Sequence, residues 1–154
     1  GRLKHMLAAL GLSQVQIEGE LKNKPCPELL GITPRHAMQT LGTEWGRNCI
    51  HPDLWAHLAA LDTAELLSQG NKVVIDDCRF LNEAKAITDM GGLIVRVIRP
   101  NHPLTHNPNH LSETEQLCIP VDYYLSNLGT PEDLITNIDT MLLVLQDAEK
   151  GNHV

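Results

Sequence analysis

Asp76, Asp77, Arg79 and Glu83 lie within eight positions and directly follow the β-branched run Val73-Val74-Ile75. Such a run is expected as a strand, which places the charged cluster at its carboxyl end, where open parallel sheets gather ligands. A carboxylate there can hold hydrated Mg²⁺ or accept the proton of a substrate hydroxyl. Asp76 is the candidate Mg²⁺ contact. Two blander readings remain open. One carboxylate could cap the next turn, or the D-x-R-x-x-x-E spacing could form a structural ion-pair corner.

A second set surrounds Thr33-Pro34-Arg35 and Thr43-Glu44-Trp45-Gly46-Arg47. Arginine presents a rigid fork suited to phosphate oxygens. Arg35, at the start of an expected helix, could hold an anion together with the helix's free backbone N–H groups; the alternative is a solvated first-turn side chain. Trp45 and Trp55 could stack on a base or pack in the core. His102, His106 and His110 recur every four residues, but Pro103 and Pro108 between them prevent a regular helix from aligning the three on a metal. Residues 101–117 read as a lid or loop segment instead.

The elements that must position these residues follow from composition and period. At 154 residues and 42% hydrophobic content the chain is about one domain with enough apolar residues for a core. No apolar run approaches the roughly 18–20 residues of a membrane span, so no membrane partner is expected. The net charge of −7 argues against wrapping a nucleic-acid polymer. All six arginines precede Pro100, so a compact anion such as a nucleotide remains compatible. The four cysteines, Cys26, Cys49, Cys78 and Cys118, form no C-x-x-C pair and read as reduced thiols of a cytoplasmic protein.

Leu3, Met6, Leu7 and Leu10 predict an amphipathic helix over 3–12, and residues 18–32, with Pro25, Pro27 and Gly31, read as a loop. Thr33-Pro34 opens a helix expected to end at Gly42, followed by a polar connection over 43–50. A longer helix is expected from His51-Pro52-Asp53 to Gln69, stopped by Gly70. Then come a strand at 72–77, a helix at 82–90 ended by Gly91-Gly92, and a strand at 93–99: a βαβ unit. A short helix at 112–117, a strand at 122–126 and a final helix, capped by Thr130-Pro131-Glu132-Asp133, complete the chain. The class is α/β in three layers with a mostly parallel sheet.

TPRHAMQTLGTEWGRNCIHPDLW (33–55), VVIDDCRFLNEAKAI (73–87), IRP (98–100), HLSE (110–113) and NLGTPEDL (127–134) carry a resemblance in this order. The chain resembles the deoxynucleoside monophosphate kinases of bacteriophages and their bacterial relatives, from about Leu3 to Leu134. The resemblance implies a P-loop kinase fold, phosphoryl transfer from ATP with Mg²⁺, and a deoxynucleoside monophosphate as acceptor. It implies that Arg35 holds the monophosphate and that Trp55 lies against the base; Arg47, the second guanidinium of the stretch, and Glu44 are the further candidate substrate contacts. Asp77, Arg79 and Glu83 match the family's charged catalytic site. Leu81 stands where the family usually has proline, which changes local stiffness but no charged group.

Nothing in the chain fits the phosphate-binding pattern G-x-x-x-x-G-K-[ST]. The expectation is therefore a single, N-terminally incomplete domain over 1–154, with the family's first strand and P-loop lying before Gly1. Two rivals stay open: a non-catalytic nucleotide-binding or interaction module, and a Mg²⁺-dependent phosphohydrolase using Asp76, Asp77 and Glu83. A homodimer is expected to bury either the Leu3-Met6-Leu7-Leu10 face or an exposed strand edge.

Overall fold

The structure, a computed structural model, describes residues 1–99 and 111–151, with 111–114 and 146–151 described by backbone alone. The chain divides into two compact units, Gly1–Leu61 and Asp62–Val154. The division falls inside helix α4, Leu54–Ser68.

In the first unit, α1 (Arg2–Ala9) brings Leu3 and Leu7 onto one face by their i, i+4 spacing. Leu7, Leu12 and Ile17 form a buried cluster on which Leu3, Leu29, Ala37 and Met38 pack. The face read as a dimer surface is thus largely occupied by the chain's own core. Of the four residues only Leu10 is plainly exposed, at 62%. Residues 18–32, expected as loop, contain two turns of 3₁₀ helix, Glu20–Asn23 and Pro27–Leu29. They follow a short helix α2, Gln14–Ile17, which the apolar pattern alone does not reveal. Its signal is Ser13-x-x-Gln16. Gln16 Oε1 accepts from the Ser13 backbone N–H and from Ser13 Oγ, both at 2.8 Å.

Helix α3, Pro34–Thr40, starts as its sequence dictates, with Thr33 Oγ1 accepting the His36 N–H at 3.2 Å and proline in the first turn. It does not end at Gly42. The backbone continues without interruption as a π-helix over Leu41–Ile50, closing on a His51 N–H to Gly46 carbonyl bond of 3.0 Å. The expected polar connection is therefore helical. The reason is tertiary. The Trp55 indole lies across the glycine face of this segment, and its Nε1 donates to the Gly42 carbonyl at 2.7 Å. Gly46 is buried beneath the same ring. A glycine covered by a neighbouring ring no longer exposes its backbone to water, and much of its helix-breaking tendency is removed.

The second unit contains the sheet. Strand β1 (Val95–Ile98) pairs in parallel with β2 (Tyr123–Ser126), Val95 opposite Tyr123 and Ile98 opposite Ser126. Helix α6, Leu111–Cys118, lies between them in sequence. Both strands fall inside the predicted runs. The predicted strand over 72–77 does not form, so the βαβ unit is β1-α6-β2 rather than the one expected over 72–99. A strand exists through its ladder, and no described residue pairs with 73–77; Val74 is left 91% exposed. The described residues are thus mixed α/β and mostly helical, with a two-stranded sheet in place of the larger one predicted.

Helix α5, Leu81–Asp89, ends where Gly91 takes φ +80°, letting the Gly91 and Gly92 N–H groups return to the Thr88 and Ile87 carbonyls. Its Ala84 joins Ile94 and Ile119 in a second buried cluster. Arg96 Nη2 donates to the Gln116 and Ile119 carbonyls at 2.7 and 3.0 Å, placing a cation at the carboxyl end of α6. Helix α7, Pro131–Gly151, packs on β2 and opens as the sequence predicts. Asp133 Oδ2 accepts from the Thr130 N–H and hydroxyl while Thr130 Oγ1 accepts the Asp133 N–H.

The Trp55–Gly46 contact is directly testable. A methyl group on Gly46 would stand 2.6 Å from indole Cε2 and Cζ2. Gly46→Ala should therefore cost about 1–3 kcal/mol through overpacking. Trp55→Phe, which keeps a ring but loses the N–H donor, should cost about 1 kcal/mol. Denaturant titration measures both, and an unchanged midpoint for Gly46→Ala would contradict this packing.

Candidate functional site

Two sets of candidate side chains are positioned, one in each unit. In the first, α1, the π-helix and the start of α4 enclose a shallow open depression of about 410 Å³. Arg2, His5, Met6, Trp45, Ile50, Leu54, Trp55 and Leu58 line it. The two indoles stand 6.3 Å apart between centroids and are tilted by 49°. Trp55 is fixed by its bond to Gly42, whereas Trp45 is 42% exposed. A planar aromatic ligand can lie on these rings, because stacking needs a π face and little else.

Arg35, Glu44 and Arg47 lie in the same unit but do not line the depression. Arg35 is exposed in the first turn of α3, and its Nε donates to Asn23 Oδ1, which orients the guanidinium. Arg47 Nη1 donates to the Pro52 carbonyl at 3.2 Å, tying the π-helix to the turn before α4. Glu44 is exposed.

In the second unit the charged corner forms, although without its strand. Glu83 sits at the third position of α5, and its Oε2 accepts from the Arg79 and Phe80 N–H groups at 2.9 and 3.1 Å. Glu115 of α6 adds a bond from the Leu81 N–H at 3.4 Å. Three backbone donors at this helix start are therefore already met by carboxylates. An anion here would have to rely on side chains, of which Arg79 is exposed. Asp76 and Asp77 are exposed as well. Between them and Glu83, Cys78 is half-buried against the second cluster. Burial, reinforced by the charges of Glu83 and Asp77, pushes its thiol up to about 11. A thiol so raised is a packing group, not a nucleophile.

Among the described residues no three His, Cys, Asp or Glu side chains gather as a metal site. Asp76 thus stands without the further ligands a dedicated Mg²⁺ cage would need. His102, His106 and His110, and most of the 101–117 lid segment, lie outside the described residues; the part from Leu111 onward is helix α6. No helix among the described residues is long and apolar enough to cross a membrane.

Residues 16–138, which include Trp55, Arg35 and the Asp76–Glu83 corner, match the family of deoxynucleotide monophosphate kinases. The chain belongs to that family. It is 32% identical over 139 residues to an Acanthamoeba polyphaga mimivirus protein named "Putative deoxynucleotide monophosphate kinase", covering 82% of this chain and 71% of the relative. It is 32% identical over 114 residues to the deoxynucleoside-5'-monophosphate kinase of Escherichia phage T5, covering 71% of this chain and 44% of that protein. To the deoxynucleotide monophosphate kinase of Enterobacteria phage T4 it is 30% identical over 112 residues, covering 72% and 46% respectively. The chain thus spans less than half the length of the two phage relatives. No solved structure matches it significantly.

Within this kinase-family chain, sequence reasoning passed over Glu115, Arg2 and His5. Glu115 meets α5 from 34 residues away, and no local pattern announces such a bond. Arg2 and His5 carry a weak signal, since their i, i+3 spacing puts them on one side of α1.

If Arg35 and Arg79 meet a monophosphate, each Arg→Ala substitution should weaken its binding by about 1.5–3 kcal/mol, the scale of a charge-assisted hydrogen bond. Calorimetry checks the affinity and thermal melting checks the fold. A lower melting point with unchanged affinity would make Arg79 a structural member of its corner.

Cys78 yields a second expectation. Alkylation at pH 8 should mark the exposed Cys49 and Cys118 well before Cys78. Its raised folded-state value means that the unfolded chain loses this proton first, near 9.0. Stability fully present below that pH is then lost as the pH climbs toward about 11. Cys78→Ala should flatten that loss in melting curves recorded across the interval.

Proposed function

We propose that this chain carries the acceptor side of a deoxynucleoside monophosphate kinase, an enzyme that transfers the γ-phosphoryl group of ATP to a deoxynucleoside monophosphate. The observation that carries the reading is the tryptophan-lined depression in a chain of this family. Its volume lies at the lower end of the roughly 300–1,000 Å³ range of small-molecule sites. In this reading the base lies on Trp55, and Arg35, held by Asn23, approaches the monophosphate. Arg47 supports the site by bracing the π-helix against Pro52, with Glu44 on the same helix. Asp77, Arg79 and Glu83 form the charged catalytic corner. Glu83 holds the backbone of Arg79 and Phe80 in place.

Phosphoryl transfer demands positioning and charge neutralisation rather than a covalent nucleophile, so arginines and carboxylates suffice. Mg²⁺ bound with ATP neutralises charge on the phosphoryl group. The described residues fit neither group by themselves, because the carboxylates do not gather and the chain has no glycine-rich phosphate cradle. Asp76 is the residue proposed to meet the metal. A three-layer P-loop-kinase fold is likewise proposed, supported by the parallel β1-α6-β2 unit.

The isolated chain should bind a deoxynucleoside monophosphate weakly and ATP hardly at all. Calorimetry with each of the four deoxynucleoside monophosphates and with ATP tests this division. ATP binding tighter than every monophosphate would refute it.

A further inference from the structure

We infer that Asn23 is a positioning residue for monophosphate binding, holding Arg35 in a fixed orientation without neutralising it, a role that rests on the acceptor reading above. Asn23 lies before Thr33, where the segments that carry the family resemblance begin. Its Oδ1 accepts from Arg35 Nε across twelve positions of sequence. A guanidinium carries five N–H donors in one plane. Engaging the Nε–H fixes that plane and leaves the two terminal nitrogens, which bond to none of the described residues. Those two offer the parallel pair of donors that matches two phosphate oxygens. Orienting so long a side chain in advance also lowers the ordering cost that binding would otherwise carry.

The partner's chemistry is the second part. Exposed lysines elsewhere in the chain meet carboxylates, Lys4 with Glu18 and Lys85 with Asp89. Asn23 is uncharged, and among the described residues no carboxylate pairs with Arg35. The guanidinium is therefore oriented while its charge stays uncompensated, and the ligand it fits is a compact anion such as the phosphate of a mononucleotide. Arg47, by contrast, spends a terminal nitrogen on the Pro52 carbonyl. Asn23 is itself held by local packing. It ends the 3₁₀ turn Glu20–Asn23, which packs on α2 and α3. The Lys22 and Lys24 N–H groups return to the Gly19 and Leu21 carbonyls at 3.2 and 3.0 Å. A Cβ on Gly19 would stand 2.8 Å from the Val15 carbonyl oxygen, so the turn follows tightly on α2.

The test titrates a deoxynucleoside monophosphate and its matching deoxynucleoside calorimetrically into the unsubstituted chain and four variants. These are Asn23→Ala, Asn23→Asp, Arg35→Ala and the combined Asn23→Ala, Arg35→Ala chain. Asn23→Ala should weaken monophosphate binding about fivefold, the scale of one net hydrogen bond, and leave nucleoside binding unchanged. In the Arg35→Ala background the same substitution should cause no further loss, because Asn23 acts only through that guanidinium. Asn23→Asp keeps the accepting oxygen but adds a charge that competes with phosphate, so it should weaken monophosphate binding at least as much. Asn23 is exposed, and circular dichroism verifies that each variant is folded. Equal weakening of both ligands, an equal loss when Arg35 is absent, or undiminished binding in Asn23→Ala or Asn23→Asp overturns the role of Asn23 while the acceptor reading stands. If the unsubstituted chain binds no monophosphate, the acceptor reading falls and the role of Asn23 falls with it.

Discussion

The Trp55 indole on the Gly42–Gly46 backbone governs the geometry of the first unit's site. One hydrogen bond, from Nε1 to the Gly42 carbonyl, anchors the ring. The missing Cβ at Gly46 gives it room to lie against the helix. That contact lets α3 continue through two glycines in a widened π form. It also sets Trp45 beside Trp55 and closes the wall of the depression. Arg47, bonded to the Pro52 carbonyl, then fixes the turn from which α4 delivers Trp55 back onto the glycines. The packing is circular: helix, turn and indole each hold the next in place.

The charged corner of the second unit obeys a different constraint. A helix start leaves backbone N–H groups that must be met, and Glu83 and Glu115 meet three of them. The carboxylates read as possible chemistry therefore also have a structural duty. Arg79 is held by its backbone while its side chain remains exposed. Cys78, half-buried beside Asp77 and Glu83, has its thiol pushed up by burial and by those two charges.

Local chemistry was the legible part of the fold. Thr33-Pro34, Thr130 with Asp133, and the glycines after α4 and α5 mark helix ends, since caps and left-handed turns act over four or five residues. The β-branched run at 95–98 and the tyrosine-bearing run at 123–126 gave strands because each found the other. The equally β-branched run at 73–75 gave none, because strand formation depends on a partner that periodicity cannot supply. Gly42 misled for a related reason. It reads as a stop until Trp55, thirteen residues on, covers it. For the site, residue types and spacing single out Arg35, Trp55 and the Asp76–Glu83 cluster as candidates. They could not reveal that Gln16 reaches Glu28, or that Arg2 and His5 share a wall with two indoles.

The two tryptophans of the chain occupy one cluster, and that has a spectroscopic consequence. At 6.3 Å and 49°, the two rings sit in one fixed, asymmetric arrangement that is lost when the first unit unfolds. Both belong to Gly1–Leu61, whereas Tyr123 and Tyr124 lie on β2 in the other unit. Indole emission is therefore a private signal of the first unit, and tyrosine emission of the second. Melting followed at the two wavelengths reads the units separately without any added label.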